Sequence, residues 1–423
     1  MPDDDESARL TSCFGESDDE TRPALVRVYP GGWGFAVGSS ADGAVWTWGA
    51  CREYLAEGAA GDGRPRRGAG RAHPASAGFA TVVSCLAQEQ APEKNDEREV
   101  RVFFRVEGWR PGNPFPHEAV DRNAPNVTFY LSSPASAPPM RPRLGLSGRG
   151  PATRRVRHLA AGDEHFLACA ETGEAFFWNG KNGAAPSALV FDFDFDARGA
   201  SLTRGDSKRE LKRELKITHV AAGSRHSALV DADGRVWTFG WGLYGQLGHE
   251  TCEDVKDPTP VEALLGVCFA RAVAAGAAHT CALASTGSLY AFGSNQDGQL
   301  GVPAAACALG AATATPALVE FPWDDEDGDA PSSSSAGGTA FRASTFVSAV
   351  SCGARHTACV TTLGALVSWG WNAYGQLGVG DLRTRAAPTR VATEVAGRRV
   401  EAVACGRWHT VIGVARRGER ETR

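Results

Sequence analysis

The 423-residue chain has no stretch approaching the ~20 apolar residues of a membrane-spanning helix, so no membrane association is expected. It has no surplus of basic charge either. With 44 Lys and Arg against 49 Asp and Glu, the net charge of -5 argues against direct nucleic-acid binding. The opening residues MPDDDESARL are acidic and lack an apolar core, unlike a signal or transit peptide. There is no Gly-x4-Gly-Lys-Ser/Thr phosphate loop and no Gly-x-Ser-x-Gly elbow, so hydrolase, transferase and redox chemistry find no support. With export not expected, the eleven cysteines read as reduced thiols and the Asn126-Val127-Thr128 sequon as inert.

Glycine is what the chain has in excess. Its fifty glycines are nearly double the usual ~7% share, and they sit at fixed offsets rather than in runs, which marks turns. The stretch YGQLG occurs at Tyr244 to Gly248 and Tyr374 to Gly378, with DGQLG at Asp297 to Gly301. Twenty-two positions before the first glycine of each copy stands another, at Gly223, Gly276 and Gly353. Each is followed three residues later by a histidine (His226, His279, His356), eleven later by a glycine (Gly234, Gly287, Gly364) and sixteen later by an aromatic (Phe239, Phe292, Trp369).

Within one unit, Ser227 to Val230 and Arg235 to Phe239 flank an Asp-Gly turn, which predicts a β-hairpin. Such a hairpin cannot bury its apolar face alone, so a ~50-residue period predicts a closed array such as a propeller. Partial units begin at Gly162, with His165, at Gly32, with Phe35 in the histidine position, and at Gly406, with His409. The expected fold is all-β: a seven-bladed β-propeller of four-stranded blades, closed by strands from both termini. Clear repeats are expected at 27–50, 156–180, 218–248, 271–301, 348–380 and 400–415, the last sharing its blade with 10–17. A degenerate blade is expected at 78–110 and loop insertions at 52–77, 110–153, 181–215 and 302–345.

The Gly-x-x-His, Gly-x-Val-Trp-x-Phe-Gly and Tyr-Gly-Gln-Leu-Gly elements resemble the repeat of the regulator of chromosome condensation family. That resemblance implies a seven-bladed propeller. The divergent first blade, the decayed second one and the ending VACGRWHTVIGVARRGE are most similar to the members that partner a Jumonji-type lysine demethylase. The resemblance implies a non-catalytic protein-binding scaffold of nucleus and cytoplasm, expected to be a monomer. An alternative is guanine nucleotide exchange on a Ran-like small GTPase, as in the founding member. Against it stand the acidic N-terminus and only three unbroken repeats. Ultraviolet sensing, known in a plant member, would need several Gly-Trp-Arg-His-Thr motifs, and only Gly406 to Thr410 approaches one.

The repeated Gly162, His165, Gly223, His226, Gly276, His279, Gly353, His356, Gly406 and His409 read as structural. Each histidine is expected to bond backbone within its own blade, and each glycine to supply positive φ or close backbone approach. Cys352 with His356, and Cys405 with His409, mimic half a zinc site. The repeat frame accounts for them, since Ala222 and Ala275 hold the same cysteine position in sister blades. No catalytic residue, metal or cofactor is expected. A candidate partner-binding patch is Arg64, Arg66, Arg67 and Arg71 with Arg154 and Arg155, in basic segments flanking the degenerate blade.

Overall fold

The computed structural model describes the side chains of residues 157–177 and 187–191 with short breaks, and of 215–321, 346–391 and 399–414. It describes the backbone alone of six strands between residues 25 and 107, of residue 156, of 178–179, and of the paired short strands β11 (Asp194–Phe195) and β12 (Ser201–Leu202). Residues 10–17 and 110–153 lie outside the described residues.

Three complete blades are antiparallel meanders of four strands each. The first holds β13 (Ile217–Ala222), β14 (His226–Asp231), β15 (Val236–Gly240) and β16 (Val255–Pro260). The next holds β17 (Ala270–Ala275), β18 (His279–Ala284), β19 (Leu289–Ser294) and β20 (Ala312–Leu318). The third holds β21 (Val347–Cys352), β22 (His356–Thr361), β23 (Leu366–Gly370) and β24 (Arg385–Arg390). A fourth four-stranded sheet comprises β7 (Val156–Ala161), β8 (His165–Ala170), β9 (Ala175–Asn179) and β10 (Ser187–Ala188). β25 (Val400–Cys405) and β26 (Thr410–Val414) form a two-stranded sheet.

The hairpins form where the apolar alternation put them. The second strands β8, β14, β18 and β22 are buried at every position, as expected of strands covered on both faces. At the β14–β15 turn, Asp231 accepts bonds from the amides of Asp233 and Arg235 at 2.9 Å and from Trp237 Nε1 at 3.0 Å. Burial pushes the Asp231 carboxyl up while these bonds oppose the shift. Gly234 completes the turn at φ +77°, a conformation that favours glycine.

The fourth strands correct the expected boundaries. β16 and β24 extend their blades beyond 248 and 380, and β10 and β20 lie within the expected insertions 181–215 and 302–345. β16, β20 and β24 carry Pro258, Pro316 and Pro388 and are only partly buried, and they show no apolar alternation. Proline cannot donate to a ladder and belongs on an edge strand. Behind each edge strand, Val261, Val319 or Val391 is buried and anchors it.

The N-terminal region is one six-stranded sheet in the order β1 (Leu25–Pro30), β2 (Phe35–Ser40), β3 (Ala44–Gly49), β4 (Arg66–Ala77), β5 (Val82–Gln88) and β6 (Arg101–Glu107). The expected loop 52–77 is therefore strand from residue 66. Its first half, Arg66 to Arg71, pairs with β3 and its second, Ala72 to Ala77, with β5. The first strands β7, β13, β17, β21 and β25 stand against one another from blade to blade, and β1 lies beside β25 and β26.

Candidate functional site

The repeated glycine and histidine form the seam between blades. In each unit the glycine amide donates to the carbonyl of the histidine three residues on, at 2.8 to 2.9 Å, from Gly162 through Gly406. The side chain then leaves its own blade. His226 Nε2 lies 2.9 Å from Thr280 Oγ1, His279 Nε2 3.0 Å from Thr357 Oγ1, and His356 Nε2 3.0 Å from Thr410 Oγ1. Each threonine hydroxyl donates to a carbonyl of the preceding blade, at Gln246, Gln299 or Gln376, over 2.7 to 2.8 Å. Its one proton being used there, the hydroxyl accepts from Nε2–H, which fixes the neutral Nε2–H tautomer.

The expected partner of these histidines is corrected accordingly: a hydroxyl of the next blade, not backbone of the same one. Burial pushes the ring of His226 down to about 3, of His279 to about 4 and of His356 to about 3. Neighbouring histidines push His226 and His356 further the same way. All three rings are therefore uncharged at physiological pH, and all are fully buried. They hold blades together. Replacing His226 or His356 by alanine is expected to cost about 1 to 3 kcal/mol of stability, because a buried hydroxyl loses its donor. Urea unfolding measures this, and an unchanged midpoint would contradict the inter-blade bond.

The seam glycines are required for space. A Cβ on Gly223 would stand 2.2 Å from His226 Cε1 and 2.5 Å from the carbonyl oxygen of Gly276, and Gly276 and Gly353 repeat the pattern. None of these has a positive φ, so close approach alone explains them. Gly162 is as tightly set, between His165 and the carbonyl of Gly223. His165 is buried and stacks on Phe177 at 5.8 Å.

The YGQLG turn is a second inter-blade lock. Gln246 folds back so that its Oε1 accepts from the Tyr244 amide at 2.8 Å and its Nε2 donates to the Trp241 carbonyl at 2.7 Å. Leu247, Leu300 and Leu377 are buried, and Trp369 Nε1 donates to the Gln299 carbonyl of the preceding blade at 3.0 Å. Gly245 and Gly298, at φ +73° and +78°, press on the backbone of Ala314 and Ala386 in the next blade's edge strand. The five residues recur because each blade grips the next in the same way.

What does not recur uniformly lies on the surface beside these seams. Trp241 and Trp371 each follow a strand-ending glycine, and Arg225 and Arg355 each precede a seam histidine. The guanidinium of Arg225 lies 5.9 Å from the Trp241 ring centroid, that of Arg355 5.7 Å from Trp371, and that of Arg407 5.7 Å from Trp408. Trp371 packs edge-on against Trp408 at 5.0 Å and Tyr374 at 5.1 Å, and Trp241 against Tyr244 at 5.4 Å. Tyr374 is 67% exposed and Leu243 57%. Arg355 pairs with Asp297 of the preceding blade at 2.5 Å. Arg407 reaches both carboxylate oxygens of Asp163 at 3.2 Å, although the three complete blades separate their sheets in chain order. This face stacks cations on aromatic rings at strand ends, an arrangement suited to gripping a partner surface.

Two classes of tryptophan stand near the strand ends, those within a strand and those that follow it. Trp237 and Trp369 are of the first class, fully buried, whereas Trp241, Trp371 and Trp408 are only partly covered. The available signal was the doubling of aromatics in WGLYGQLG and WGWNAYGQLG. Of the expected arginine patch, Arg66, Arg67 and Arg71 lie on β4, paired with Thr47, Trp46 and Ala44. They stand on a strand instead of a glycine-rich loop, because the segment bridges β3 and β5. Arg64, Arg154 and Arg155 lie outside the described residues.

The chain matches the RCC1-like domain over residues 131–412. It is 36% identical over 245 residues to human RCC1 domain-containing protein 1, covering 53% of this chain and 63% of that protein. It is also 36% identical over 197 residues to the Arabidopsis thaliana ultraviolet-B receptor UVR8, covering 46% of this chain and 39% of the receptor. The matches thus span less than two thirds of these relatives' length. Among solved structures, Prp20p from Saccharomyces cerevisiae superposes with a TM-score of 0.63 at 17% identity, over 93% of this chain and 83% of that one. That likeness is one of fold. With four-stranded antiparallel blades, histidine seams repeated between them and a family match over more than half its length, the chain belongs to the RCC1-like domain family.

Proposed function

We propose that this chain is a non-catalytic scaffold for a protein partner, and that the partner is a chromatin-associated regulator of the Jumonji-type lysine demethylase class. The observation that carries this reading is the arginine and aromatic face of Arg225, Trp241, Tyr244, Trp371, Tyr374 and Trp408. Arginine, tryptophan and tyrosine are the residues most enriched at the energetic centres of protein interfaces, and here rigid strand ends present them. Relatedness to RCC1 domain-containing protein 1, with the resemblance in repeat layout, supports the demethylase class. The reading includes a monomeric seven-bladed ring closed by strands from both termini, working in nucleus and cytoplasm. The position of β1 beside β25 and β26 supports closure, as does the ion pair between Asp163 and Arg407.

A second reading is nucleotide exchange on a Ran-like GTPase, favoured by the fold likeness to Prp20p, whose structure was described with its binding to Gsp1p and histones. Exchange needs only a rigid surface that displaces the nucleotide's contacts, so no catalytic residue would mark it. The release rate of labelled GDP from a purified Ran-type GTPase separates the two. The scaffold reading expects no acceleration at micromolar chain, and acceleration by about a hundredfold or more would replace it with exchange.

A further inference from the structure

One seam differs from its sisters in chemistry. His279 and Cys281 sit at alternate positions of β18, hence on one face of the strand. Cys352 ends β21 in the next blade. The donor atoms of these three residues all lie within 4.8 Å of one another, and all three are buried. In the preceding seam the positions of the two thiols are held by Ala228 and Ala275, and in the following one by Ala358 and Cys405. Among the described residues, the histidine recurs in each seam but two thiols meet it only here.

We infer that His279, Cys281 and Cys352 form a structural zinc site that ties two neighbouring blades together. Zinc takes thiolate and imidazole ligands at about 2.3 and 2.0 Å, which sets tetrahedral donors roughly 3.5 to 3.8 Å apart. The three donors are within about 1 Å of that spacing. As the two Zn–S bonds form, two thiol protons leave to solvent. The resulting centre of Zn2+, two thiolates and a neutral imidazole has no net charge, the condition under which a dry interior accepts an ion. The Thr357 hydroxyl, 3.0 Å from His279 Nε2, holds the ring in place at the same seam. The cysteine and histidine spacing along the chain could not reveal this set. It couples Cys352 to the histidine of the preceding blade, not to its own His356.

The test is zinc content of the full chain, purified, exposed to excess zinc and dialysed, with exposed Cys252 replaced by serine to remove a surface thiol. About one zinc per chain is expected, falling to background in both Cys281→Ala and Cys352→Ala and unchanged in Cys359→Ala, another buried thiol outside the set. Alanine already fills both positions in a sister seam, so the variants should fold. The thermal midpoint of each checks this. Cobalt(II) added to the metal-free chain should give a thiolate charge-transfer band that the same two substitutions abolish. No retained zinc and no cobalt band would overturn the inference, as would zinc held equally by Cys281→Ala and Cys352→Ala.

Discussion

Lowering the pH from 7.5 to 5.5 is expected to remove about 4 kcal/mol of folding stability, the contribution of three seam histidines alone. Each ring has an ordinary value of 6.5 and a folded value of about 3 or 4. Between those limits the unfolded chain takes up protons that the folded chain refuses. Stability from this source is complete above pH 6.5 and is lost as the pH falls through the window from 6.5 toward 4. At pH 5.5 one such group costs about 1.4 kcal/mol, and three cost about 4. Urea midpoints measured from pH 8 to 5 should be level at first and then fall. His279→Ala should start lower and fall less steeply. A stability flat from pH 7.5 to 5.5 would contradict the burial of neutral rings.

Gly276→Ala should be strongly destabilising. Its Cβ would stand 2.2 Å from His279 Cε1, 2.4 Å from Nδ1 and 2.5 Å from the Gly353 carbonyl oxygen. The ring is held by Thr357, and the carbonyl belongs to the next blade's own glycine seam, so neither can yield without opening the interface. A loss of about 3 kcal/mol or more is expected, the upper end of overpacking effects. Gly266 is the control. It too is a glycine, at φ +72°, but nothing lies within 4 Å of its Cβ position. Gly266→Asn, which tolerates that conformation, should cost less than about 1 kcal/mol. Equal losses in the two variants would mean that backbone freedom, not space, governs the seam.

The hairpins were legible because two signals coincide in them. Residues 226–231 and 236–240 are short apolar-rich runs that flank Asp233-Gly234, so composition and turn chemistry agree. The edge strands were not, because Pro258 or Pro388 and exposure on the outer rim erase the alternation that marks a strand. The partner of each histidine was illegible for another reason. Thr280 lies 54 residues from His226, and nothing local to the histidine distinguishes a bond to its own blade from one to the next. The same holds for Trp241 and Trp371. Each follows a strand whose own aromatic is buried, and only the assembled blade turns the second ring outward beside an arginine.

The division of labour follows from these contacts. Repeated residues face their neighbours across seams, where they must match from blade to blade. Side chains outside these contacts, such as Arg225, Leu243 and Tyr374, are left on the surface and are free to meet a partner.

The most direct test is the affinity of a purified Jumonji-type lysine demethylase for the wild-type chain, for the double variant Arg225→Glu with Tyr374→Ser, and for His279→Ala, with thermal midpoints from the same samples. The account predicts binding by the wild-type chain that weakens at least about tenfold in the surface variant, at an unchanged midpoint. It predicts a lowered midpoint in His279→Ala, with affinity retained below that midpoint. No binding by the wild-type chain, or equal binding by the surface variant, would contradict it.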